Sequence, residues 1–151
     1  MKRYTFQVPA GQSLARWSTF AAASSAAVDD IDLYVYRETA TGLVPVGISA
    51  TGASDETVNV NAPPAGGYRA YVHNWDSDAP TNDITLFSWL LDGAAKGNAN
   101  VTAPGSVSLG QSVPVSLSWS GLAAGQRYLG RVVYADGTQD RAATVVSVTV
   151  P

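Results

Sequence analysis

Apolar side chains recur at every second position in short runs, and nearly every run is cut off by glycine, proline or aspartate. Tyr4, Phe6 and Val8 lie on one side of Tyr4-Thr5-Phe6-Gln7-Val8 before Pro9-Ala10-Gly11 turns the chain. Ile31, Leu33 and Val35 alternate through Asp30–Tyr36, and Val58 and Val60 alternate until Pro63-Pro64, where proline cannot donate to a ladder. Gly66-Gly67 opens the run from Tyr68 to Trp75. A period of two matches the pleat of a strand and not the 3.6-residue turn of a helix. The spacing therefore predicts an all-β chain of short antiparallel strands joined by turns.

Further strands are predicted from Leu14 to Phe20, through Val44 and Val46 after Thr41-Gly42, and from Ile84 to Leu91. The small-residue stretch Ala21–Ala27 has no amphipathic face and reads as a loop. Asp92-Gly93-Ala94-Ala95-Lys96-Gly97-Asn98 breaks the pattern, so the chain divides into a first domain over 1–92, a linker over 93–98 and a second domain over 99–151. The second domain offers Val113–Trp119, Arg127–Tyr134, an Asp136-Gly137 hairpin turn and Ala143–Val150. Four or five strands are too few to close a sandwich core, so this domain is expected to pack on the first.

Residue usage removes several function classes. The net charge is −3, the two lysines Lys2 and Lys96 stand apart and the arginines are scattered, so no basic stripe exists for nucleic acid. Cysteine is absent, which rules out disulfides, thiolate metal sites and cysteine nucleophiles. No apolar stretch approaches the ~18 residues of a membrane span. Met1-Lys2-Arg3-Tyr4 leads straight into a strand without an apolar leader, so Met1 reads as the start of an expressed fragment whose signal peptide lies elsewhere. The single histidine, His73, sits on a strand, and no serine is framed as a nucleophile elbow, so the chain is expected to be no enzyme.

Two stretches carry a resemblance. Asp30-Ile31-Asp32-Leu33-Tyr34-Val35-Tyr36 followed by Ala65-Gly66-Gly67-Tyr68-Arg69-Ala70-Tyr71-Val72 resembles the bacterial pre-peptidase C-terminal domain, over roughly residues 1–92. Ser118-Trp119-Ser120-Gly121-Leu122-Ala123-Ala124-Gly125-Gln126-Arg127-Tyr128 is similar to the tyrosine corner of fibronectin type III-like sandwiches. In this order they resemble the C-terminal extension of secreted bacterial subtilisin-like serine proteases. The resemblance implies a jelly-roll-like sandwich with a short immunoglobulin-like module behind it. It also implies an extracellular location and a cognate protease domain as partner. The role it implies is a non-catalytic aid to substrate or surface binding, stability or secretion.

Two candidate sites follow from the residues themselves. With the aliphatics of Ile31–Tyr36 facing the core, Tyr34 and Tyr36 face outward; with Tyr68, Ala70 and Val72 inward, so do Tyr71, His73 and Trp75. If both strands share a sheet, five rings form a binding face for insoluble protein or polysaccharide, unless the second domain covers it. Calcium is the alternative chemistry, because Asp30 and Asp32 with Asp76 and Asp78, helped by Asp29, Asn82 and Asp83, supply oxygens if their loops meet. Against this stands their use as turn formers and strand caps. A carbohydrate-binding or adhesion module, and a processed extension that assists secretion, remain open beside the protease accessory reading.

Overall fold

The computed structural model describes residues 1–25, 30–77 and 80–151. The chain is all-β and divides into two compact units, Met1–Asp92 and Gly93–Pro151. The described part of the first unit contains β1 (Lys2–Val8), β2 (Leu14–Ser18), β3 (Asp30–Thr39), β4 (Gly42–Ser49), β5 (Thr57–Asn61), β6 (Gly66–Asp76) and β7 (Phe87–Leu91). They pair antiparallel into a four-stranded sheet of order β1-β6-β3-β4 and a three-stranded sheet of order β5-β2-β7.

The two sheets form a β-sandwich. The four-stranded sheet contributes Val8, Ile31, Leu33, Val35, Tyr68, Ala70 and Val72 to the core, and the three-stranded sheet contributes Ala15, Trp17 and Val58. These residues alternate along their strands, so one face of each sheet is removed from water, the main favourable term in folding. Trp17 stacks on Tyr68 with centroids 5.6 Å apart and meets the edge of Phe6 at 5.8 Å. The Tyr68 hydroxyl donates to the Pro64 carbonyl at 2.9 Å, which satisfies the polar end of a ring buried across the sandwich. Burial pushes the Tyr68 phenol pKa up. Where β4 leaves the first sheet for β5, Gly47 lies so close that an added Cβ would stand 2.3 Å from Val58 Cγ1. Gly66 takes φ +137°, a region open to glycine, and so lets the chain reverse from β5 into β6.

Several boundaries differ from the sequence expectation. The Leu14 strand ends at Ser18, and Ala21–Ala23 form a single 3-10 turn rather than plain loop. The last strand of this unit begins at Phe87 and not Ile84, which makes only an isolated bridge to Ser24. The remainder of the alanine stretch, Ala26 and Ala27, and two of the aspartates named for calcium, Asp29 and Asp78, lie outside the described residues.

The second unit contains two antiparallel ribbons, β8 (Ala99–Thr102) with β9 (Ser116–Trp119) and β10 (Arg127–Ala135) with β11 (Asp140–Thr149). β9 starts later than Val113, since Pro114 has no N–H for a ladder. β8 was not expected, because Ala99-Asn100-Val101-Thr102 carries only one large apolar side chain. No described residue from 93 to 151 is buried. The Tyr128 hydroxyl accepts from the Ala123 N–H at 2.9 Å, closing a corner ahead of β10. At the Asp136-Gly137 turn, the Asp136 carboxylate accepts from the N–H groups of Thr138 (2.9 Å) and Gln139 (3.0 Å) and from Arg141 Nε (2.6 Å).

Candidate binding face

β3 and β6 are neighbours, with Asp32 opposite His73, Tyr34 opposite Tyr71 and Tyr36 opposite Arg69. Ile31, Leu33, Val35, Tyr68, Ala70 and Val72 occupy the core side of these strands. The pleat therefore puts Asp32, Tyr34, Tyr36 and Glu38 of β3 on the outer side, with Arg69, Tyr71, His73 and Trp75 of β6 beside them. Tyr34, Tyr36, Tyr71 and His73 are half-buried among one another, whereas Trp75 is 67% exposed. The reason for Trp75 is a bulge: Ile31 pairs with Asn74 and Asp30 with Asp76, which leaves Trp75 unpaired and pushed outward.

The rings meet edge to face. Tyr36 and Tyr71 are diagonal neighbours across the two strands, 5.6 Å apart at 90°, and His73 meets Trp75 at 5.5 Å and 84°. A groove of about 290 Å³ opens between Tyr34, Tyr36 and Tyr71, bounded by Leu43 of β4 and by Met1. Leu43 stands opposite Glu38, and Ile48, opposite Tyr34, is 59% exposed, so the apolar surface continues onto β4.

The polar side chains that β3 and β6 place here are engaged with one another, while Arg3 of β1 stands exposed opposite Tyr71. Arg69 Nε donates to Glu38 Oε1 at 2.6 Å, and this bond, with a further one to Tyr71, raises the guanidinium pKa. Glu38 can lie there because Gly67 has no side chain; a Cβ on Gly67 would come 2.4 Å from Glu38 Oε2. At the other end the Tyr34 hydroxyl donates to Asp32 Oδ2 at 2.8 Å, and the same oxygen is 3.6 Å from His73 Nδ1. The bond to Asp32 raises the Tyr34 phenol pKa, since it favours the protonated hydroxyl beside a carboxylate. An Asp–His couple on an open sheet face orients an imidazole but contains no nucleophile.

The carboxylates named for calcium divide between two places. Asp30 and Asp76 face each other at the sheet end, where burial first and then the charges of Asp32, Glu56 and Asp76 raise the Asp30 carboxyl above its ordinary value. Asp32 instead belongs to the aromatic face with Tyr34 and His73. No group of three or more His, Asp or Glu among the described residues is arranged to hold a metal ion. Calcium needs six to eight oxygens, and Asp29 and Asp78 of the set named for it lie outside the described residues.

Sequence reasoning missed four residues. The Glu38–Arg69 pair spans 31 residues and depends on strand register, which alternation does not fix. Leu43 was not singled out, and it reaches this face only through the pairing of β4 with β3. Glu56 is fully buried in the loop before β5, where Ser49 Oγ, the Thr51 N–H (2.7 Å) and Thr51 Oγ1 donate to its carboxylate. A lone glutamate among small polar residues gave no signal for it.

Residues 2–74 match the family model of the bacterial pre-peptidase C-terminal domain, and this stretch, from β1 through most of β6, is what the chain is similar to. The match holds Asp32, Tyr34, Tyr36, Tyr71 and His73, and stops one residue before Trp75. No curated protein matches the sequence. No helix among the described residues is long and apolar enough to cross a membrane.

Proposed function

We propose that the chain is a non-catalytic accessory module of an extracellular bacterial protease of the subtilisin-like kind, with the outer face of the four-stranded sheet as its contact surface. The observation that carries this reading is the run of Tyr34, Tyr36, Tyr71, His73 and Trp75 on one side of neighbouring strands, opposite the core. A sheet side that only met water would gain nothing from five rings, and contiguous aromatic surface marks interaction sites. The similarity of residues 2–74 to the pre-peptidase C-terminal domain supports the accessory role. The Tyr128 corner supports a fibronectin type III-like second module.

The test of the non-catalytic role is turnover by pure protein. Generic peptide and ester substrates should be hydrolysed no faster than in buffer alone. Reproducible turnover that His73→Ala abolishes would contradict the reading, because His73 is the only side chain of its type in the chain.

A further inference from the structure

We infer that the groove between Tyr34, Tyr36, Tyr71 and Leu43 takes an apolar side chain of an extended, unfolded polypeptide rather than a sugar ring or a charged polymer. The inference rests on the reading that this face is the contact surface, and adds what it contacts.

Three features of the face converge on that occupant. Its charged side chains are few and do not form a patch: Arg69 is paired with Glu38 at 2.6 Å, Asp32 accepts from the Tyr34 hydroxyl, and Arg3 stands exposed opposite Tyr71 on β1. A charged polymer needs a cluster of like charges to neutralise, and one exposed arginine is not a cluster. The groove is walled by three tyrosine rings, Leu43 and Met1, and none of these side chains is charged. A sugar ring entering it would leave hydroxyls facing apolar walls without partners, while an aliphatic side chain has none to satisfy. Finally, Tyr36 and Tyr71 stand at 90° to each other, so they form a notch and not the continuous flat platform on which successive sugar rings stack. A cavity of about 290 Å³ admits one large side chain, and the exposed Trp75 and Ile48 flank the path of a chain running over it.

Adsorption of the whole protein to three bead types tests this: agarose carrying reduced, iodoacetamide-alkylated serum albumin, chitin, and cellulose. Binding to the unfolded albumin is expected, nearly unchanged between about 0.05 and 0.5 M NaCl because the groove lining carries no charged side chain. Tyr71→Ala and Leu43→Gln, each checked for an unaltered melt, are expected to weaken it about tenfold, the size of a single contact residue of moderate weight. A blocked neutral hexapeptide with one leucine should compete, and its serine counterpart should not. Adsorption to chitin or cellulose alone, lost in the same variants, would overturn the polypeptide inference and leave the contact face standing. Binding to albumin that falls steeply with salt would overturn the neutral groove. Binding indifferent to both variants, or absent from all three supports, would overturn the inference and the contact face together.

Discussion

Tyr68 and Tyr71 sit three positions apart on β6, so the parity of the pleat sends them to opposite sides of the sheet. Tyr68 is fully buried against Trp17 with its hydroxyl on Pro64, and Tyr71 is half-buried against Tyr36. Replacing Tyr68 by Phe removes one satisfied hydrogen bond and is expected to lower the unfolding free energy by about 1 kcal/mol, read as a lower denaturant midpoint at unchanged slope. Glu56 is the more sensitive position. Glu56→Ala strips the partner from Ser49 and both donors of Thr51 in a buried loop, and a loss of about 3 kcal/mol is expected in the same measurement. Neither role was visible in the sequence: Tyr68 declared its side by alternation, but its hydroxyl partner and the Glu56 hub depend on how loops fold back.

Among the elements, β3 and β6 were legible because an unbroken two-residue period over Asp30–Tyr36 and Tyr68–Trp75 admits one assignment of inside and outside. β8 was not, since a strand with little apolar patterning is made by its partner, here β9, and not by its own residues. The bulge that expels Trp75 also lay beyond reach, because bulges are decided by register between strands. The β10–β11 hairpin was announced by Asp136-Gly137, and the structure adds a pH dependence to it. Bonds from Thr138 first, then from Gln139 and Arg141, hold the Asp136 carboxyl well below the ordinary value of about 3.9. A group depressed in the folded state stabilises it above the unfolded pKa and loses that contribution as pH falls through the folded pKa. The Thr138 and Gln139 amides should therefore keep their hydrogen-bonded chemical shifts down to about pH 4 and move only at lower pH. Asp136→Asn should flatten that titration; amides that shift between pH 6 and 4 would contradict the clamp.

For the molecule as a whole, the strands and the sidedness of the first sheet followed from alternation and the sandwich from the resemblance, whereas the groove did not, because it needs Leu43 from a third strand and the packing of three rings. The calcium reading turns on whether the named aspartates converge; Asp32 is engaged by Tyr34, Asp30 faces Asp76, and Asp29 and Asp78 lie outside the described residues. If these loops hold calcium, ~100-fold excess over Kd adds about 2.7 kcal/mol and raises the melt, and equal melting temperatures in EDTA and in millimolar calcium would remove the site. The claim on which the account depends is that the inner side of β6 holds the fold and the outer side makes contact, and paired measurements on Tyr68→Ala and Tyr71→Ala test it most directly. Each variant is to be assayed for adsorption to immobilised unfolded albumin and for its denaturant midpoint. Tyr71→Ala is predicted to weaken adsorption about tenfold with less than about 1 kcal/mol lost in stability, and Tyr68→Ala to lose about 3 kcal/mol or more, as truncation of a buried aromatic does. If Tyr71→Ala instead costs as much stability as Tyr68→Ala and leaves adsorption per folded molecule unchanged, the outer rings are core and the contact face does not exist.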